Sequence, residues 1–157
     1  MKSKIEFISL LFLFMTHLTG IQPVLAEEGT TLFEYPEVRE LWMRAAPPNA
    51  NMLAAYITVE NNSQNPMKLT GAFAPDFGMA EIHKTVEIDG MLKMREQKEM
   101  AISAQSSLVM EPGGLHIMLM MPKKKFKVGD QTRICLVYQD TAGQEYVQHL
   151  DFPVLRK

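Results

Sequence analysis

Cysteine is almost absent from this chain: one residue, Cys135, in 157. A single thiol excludes an internal disulfide and any thiolate-rich zinc or iron–sulfur site. Excess charge of one sign is missing too. Sixteen Lys+Arg stand against 18 Asp+Glu, for a net charge of −2, so there is no basic footprint for nucleic acid. No Gly-rich phosphate loop occurs, no Ser-His-Asp order that geometry would favour, and no suggestive pairing of carboxylates. Repeats, linkers and low-complexity segments are lacking. Beyond the first 26 residues no apolar run reaches spanning length. What is present is a globular composition, 46% apolar and 22% charged, with 13 methionines. That length supports one domain with a core large enough to need no staples.

Residues 1–26 read as a secretory signal peptide. Lys2 and Lys4 precede an apolar run from Ile8 to Met15, and Val24-Leu25-Ala26 offers a small-x-small cleavage pattern before Glu27-Glu28. The run is too short for a comfortable span and is interrupted by His17, Gly20 and Pro23. No cysteine follows the cleavage pattern, so a lipid anchor is not expected. Residues 27–157 are then the mature domain, outside the cytosol and without stable membrane insertion. Methionine stays abundant in it, since only Met1 and Met15 fall in the leader.

The mature chain reads as strands and turns. Ala54 to Glu60 is rich in strand formers, and Asn61 to Pro66 is a turn cluster. Lys68 to Phe73 is a short strand. Glu81 to Ile88 and Met91 to Gln97 flank Asp89-Gly90, a strong hairpin signal. Further strands are expected over Ile102 to Met110, Leu115 to Met121, Thr132 to Tyr138 and Glu145 to Phe152. Only Val38 to Ala46 has any helical character, and within it Leu41 to Arg44 reads as a strand. Lys123 to Lys125 reads as a solvated loop. Seven or more short strands with this punctuation predict an all-β sandwich with Greek-key connections.

The chemistry lies in histidine and methionine together. A two-residue Asp89-Gly90 loop makes Thr85 face Met94 and His83 face Glu96, so that all four project from one face. His83 and Met94 become diagonal neighbours. His116 and Met118 likewise share one face of their strand, with Ile117 and Leu119 directed into the core. Two imidazoles and two thioethers form a soft, neutral donor set suited to Cu(I) and poor for Mg, Ca or Mn. On periodicity alone, ordinary strand histidines and core-filling methionines explain the pattern equally well. Cys135, in an apolar strand, reads as a small buried hydrophobe, and His149 as a lone histidine without metal signal. Met91, Met120 and Met121 read as a soft rim, alternate donors or packing. Met43, Met52, Met67, Met79, Met100 and Met110 read as packing.

The order His83, Met94, His116, Met118 is H-x10-M-x21-H-x-M. This spacing resembles the signature of the periplasmic copper chaperones called PCuAC. Asp89-Gly90-Met91-Leu92-Lys93-Met94, Glu111 to Met120, Trp42-x-Arg44, Ala54-Ala55-Tyr56 and Lys127 to Asp130 also resemble the family, so the likeness covers roughly residues 38–154. It implies a cupredoxin-like sandwich holding one Cu(I) through His83, Met94, His116 and Met118. It further implies a non-enzymatic periplasmic carrier that passes copper to an acceptor, an oxidase subunit or assembly factor, for the copper centre of cytochrome c oxidase. Some members carry a His- and Met-rich tail that holds Cu(II); after Lys157 none is expected here. Two other classes compete. One is a metal-free sandwich for adhesion or subunit contact. The other is a blue-copper electron-transfer protein, which needs a Cys thiolate beside two His. A zinc site is weaker still, because thioethers are unusual zinc donors.

Overall fold

Alternation of β-branched and apolar residues with polar ones builds ten strands in the computed structural model, which describes residues 33–157. They are β1 (Glu37–Arg44), β2 (Met52–Asn61), β3 (Met67–Phe73), β4 (Phe77–Ile88), β5 (Met91–Glu96), β6 (Met100–Ile102), β7 (Ser106–Met110), β8 (Leu115–Pro122), β9 (Gln131–Gln139) and β10 (Glu145–Leu155). No helix occurs among the described residues. The proposed leader lies outside them.

Hydrogen bonding runs in the order β5-β4-β8-β2-β1-β10-β9-β3-β6, with β7 also on β2. β1 joins the two halves of the sandwich through a short parallel pairing with β10, Met43 opposite Val154. The core is one cluster drawn from both halves. Ile57 and Val59 of β2, Ile117 and Leu119 of β8, Ile134, Leu136 and Tyr138 of β9, and Phe152 of β10 are all buried. In β8 Leu115, Ile117 and Leu119 are buried, and in β9 Thr132, Ile134, Leu136 and Tyr138, every second position as a pleated strand requires. Each fully buried aliphatic side chain contributes roughly 1.5–3 kcal/mol. The expected all-β, cupredoxin-like Greek-key sandwich is the fold.

Several boundaries differ from the sequence reading; β4, for one, begins at Phe77 rather than Glu81. Ile102 to Met110 is two strands, because the chain turns at Ser103 to Gln105, with Gln105 at φ 53° and the Ser106 hydroxyl donating to the Ser103 carbonyl at 2.8 Å. β6 pairs with β3 and β7 with β2, so this segment crosses from one half of the sandwich to the other. The ambiguous segment Val38 to Ala46 is strand as far as Arg44, with no helix in it. A bulge between Arg39 and Trp42, with Glu40 at φ 50°, breaks its alternation. β10 continues past Phe152 through Leu155.

The turn cluster is anchored by buried Asn61, whose amide donates to the carbonyls of Asn65, Ile102 and Ser103 at 2.9, 3.2 and 3.0 Å. The lysine run is not wholly solvated. Lys124 pairs with Asp76 at 2.7 Å, and Lys123 donates to the Pro75 carbonyl at 2.9 Å.

Candidate metal centre

The hairpin that presents Met94 forms as its turn chemistry dictates. Asp89 and Gly90 both have positive φ, 54° and 74°, which a two-residue loop with right-handed strand twist demands. The resulting register sets Thr85 opposite Met94 and His83 opposite Glu96. On its other edge β4 pairs with β8, and there His83 stands directly opposite His116. Glu81 is opposite Met118 in the same ladder. Three adjacent strands, β5, β4 and β8, therefore bring His83, Met94, His116 and Met118 to one face.

The two imidazoles lie 6.1 Å apart, centroid to centroid, at 47°. Each has one nitrogen committed. His83 Nε2 is 2.8 Å from a Glu81 carboxylate oxygen, and a carboxylate accepts, so Nε2–H donates and Nδ1 keeps the lone pair. That Nδ1 is buried and has no hydrogen-bond partner. His116 Nδ1 is 3.1 Å from the Gly114 carbonyl; it donates there, and Nε2 keeps its lone pair. A carboxylate or carbonyl on one ring nitrogen, orienting the other, is the usual support for metal-binding histidines. The orphaned buried acceptor on His83 is what a cation would satisfy.

His116 is only 4% exposed, more deeply set than an ordinary strand histidine, whereas Met94 is 55% exposed. Met94, His116 and Met118 line one groove of about 470 Å³ together with Arg44, Met52 and Tyr56. Its wall is rigid. Trp42 and Tyr56 pack at 4.6 Å, and the Arg44 guanidinium lies 5.8 and 5.7 Å from their ring centres. Among the described residues no three His, Cys, Asp or Glu side chains gather into a metal cluster. The other soft groups on this face are the thioethers of Met94 and Met118.

Cys135 is buried as expected, and burial raises its thiol pKa. Sequence distance concealed its partner. His149, fourteen residues on, is its cross-strand neighbour on β10, with Nδ1 3.0 Å from Sγ. This pair lies on the β9–β10 ladder, away from the strands that carry the other two histidines. Of the methionines expected to pack, Met43, Met67 and Met110 are buried and Met100 packs on the core, but Met52 and Met79 are 57% and 44% exposed. The sequence reading missed that both stand beside Met120 on the face of His83, His116 and Met118, a placement set by long-range strand pairing.

This β-sandwich with a His/Met face has known counterparts. A protein-family profile described as "Putative lipoprotein LpqE-like" matches residues 37–151. The chain belongs to the LpqE-like family. A protein of Leifsonia xyli subsp. xyli described as "Putative lipoprotein Lxx21020" is 32% identical over 105 residues, covering 66% of this chain and 62% of that protein. A protein of Rickettsia prowazekii is 31% identical over 88 residues, covering 55% and 49%. The chain thus spans less than two thirds of these curated relatives. Among solved structures, Cu(I)-DR1885 from Deinococcus radiodurans is 28% identical with a TM-score of 0.60, covering 86% of this chain and 87% of that one. The copper-bound PCuAC domain of PmoF2 shares the fold at 22% identity and TM-score 0.60, covering 79% of this chain and 95% of that one. The likeness to PCuAC domains read from the sequence is borne out by these neighbours.

Proposed function

We propose that this protein is a Cu(I) carrier working outside the cytosol, in the periplasm, after removal of residues 1–26. In this reading residues 27–157 form the mature copper-binding domain, and His83, Met94, His116 and Met118 hold the ion. The observation that carries the proposal is the His83–His116 pair. Each ring has one nitrogen tied to a fixed acceptor and the other free, with two thioethers on the same face. The copper-bound neighbours support the same chemistry. Neutral donors suit Cu(I) and need lose no proton to bind it. The absence of thiolate favours release, and exposed Met94 gives an acceptor somewhere to begin exchange. The protein is thus a carrier and not an enzyme. Its acceptor is a copper-receiving protein of cytochrome c oxidase assembly, either an oxidase subunit or an assembly factor.

Titration of Cu(I) against a competing chelator tests the binding step. The expected result is tight binding, weakened in His83→Ala and Met118→Ala; a wild type that fails to compete sinks the proposal. Copper-edge X-ray absorption of the loaded protein is expected to report nitrogen and sulfur scatterers without thiolate. Deletion in the cell is expected to lower oxidase activity at low copper, and unchanged activity there would remove the delivery step alone.

A further inference from the structure

One row further along the ligand face stands a second set of thioethers. Met120 on β8 is flanked by Met79 on β4 and Met52 on β2, each its direct cross-strand partner. Partners in such a ladder have Cβ atoms about 4.5–5.5 Å apart and side chains on the same face. Met120 follows Met118 by two positions, so this row lies on the His116 and Met118 side of the sheet, about 7 Å beyond Met118. The sequence along β8 thus alternates donors, His116, Met118, Met120, with the buried Ile117 and Leu119 between them.

Core packing does not explain the row. Met52 and Met79 are exposed and Met120 is half-buried, while the core is filled by other residues. Three unbranched side chains rising from adjacent strands have the rotational freedom to converge on one point. Thioethers carry no charge and offer no hydrogen-bond donor. Their specific chemistry is coordination of a soft monovalent ion. Met52 also lines the groove that holds Met94, His116 and Met118, so the two donor sets share one surface.

We propose that Met52, Met79 and Met120 form a second, all-thioether site for Cu(I), weaker than the His/Met site and next to it. It rests on the copper reading above and extends it to a path: the ion lands on, or leaves by, the methionine row. Passage from Met118 to Met120 breaks one copper–sulfur bond and makes another. It changes no oxidation state and moves no proton.

The test uses the mature protein labelled with 13C at the methionine ε-methyls, titrated with Ag(I) as a redox-inert substitute and with Cu(I) under anaerobic conditions. The expected result is two equivalents bound. The first shifts the methyls of Met94 and Met118, and the second those of Met52, Met79 and Met120. The triple variant Met52→Leu/Met79→Leu/Met120→Leu, which keeps side-chain volume, is expected to lose the second equivalent and keep the first. Saturation at one equivalent, with the three methyls unmoved or moving only with the first ion, overturns the second site and leaves the carrier proposal standing. Shifts confined to Met52, Met79 and Met120 have the opposite meaning: the methionine row binds and the His/Met assignment fails. Because the wild-type spectra alone decide these outcomes, the test does not depend on any variant folding.

Discussion

His83 and His116 face each other across the β4–β8 ladder, each with one ring nitrogen held by a local acceptor and the other carrying a lone pair. The two residues lie 33 positions apart in sequence and are neighbours only because β4 and β8 are hydrogen-bonded. Replacing either is expected to remove one of the proposed donors. His83→Ala should weaken Cu(I) binding by at least about 10-fold, the scale seen even for supporting groups around a metal. Chelator competition measures it, and circular dichroism checks that the sandwich is retained.

Glu81 supports His83 without standing in the proposed donor set. Its carboxylate, 2.8 Å from Nε2, selects which nitrogen stays free. Glu81→Ala is expected to lower Cu(I) affinity about 10–100-fold, and Glu81→Gln, which retains an acceptor oxygen, by less. Equal affinity in all three proteins would show that the ring needs no such support.

Gly90 holds the register on which Met94 depends. At φ 74° a Cβ is strained even though no atom lies within 4 Å of where it would stand. Gly90→Ala should therefore destabilise the protein by about 1 kcal/mol through backbone strain rather than collision. Asp89→Asn, which suits the same turn, should be close to neutral. Urea unfolding resolves both changes.

Asp76 makes stability depend on acid. The Lys124 ammonium hydrogen-bonded to it, helped by the Thr132 hydroxyl, holds its carboxyl below the ordinary value of 3.8. A carboxylate depressed in the folded state stabilises the fold above its unfolded pKa and ceases to do so as pH falls through the lower, folded one. The pair is partly exposed, so Asp76→Asn should cost up to about 1 kcal/mol at neutral pH. That difference should shrink below pH 3.8, which paired denaturation curves would reveal.

Cys135 separates the carrier from an electron-transfer protein. Its thiol is buried and its pKa raised by that burial, so alkylation of the native protein should be slow and should accelerate in denaturant. Cys135→Ala is expected to leave Cu(I) stoichiometry unchanged. An intense blue copper complex that vanishes in this variant would reverse the assignment.

Much of this protein was legible in one dimension because strand periodicity and turn chemistry are local. Asp89-Gly90 dictated both the hairpin and its register, and alternation in β8 separated His116 and Met118 from Ile117 and Leu119. The class of the fold followed from the same signals. Other features were decided only by tertiary structure, since they depend on which strands become neighbours. β4 beside β8 set His83 against His116, and β9 beside β10 gave Cys135 its partner His149. The passage of β6 and β7 between the halves of the sandwich split what read as one strand. Most of all, Met52 and Met79 looked like core until β2 and β4 closed on either side of Met120. A side chain's face is written in its own strand, but its neighbours are chosen by long-range pairing, which local pattern does not encode.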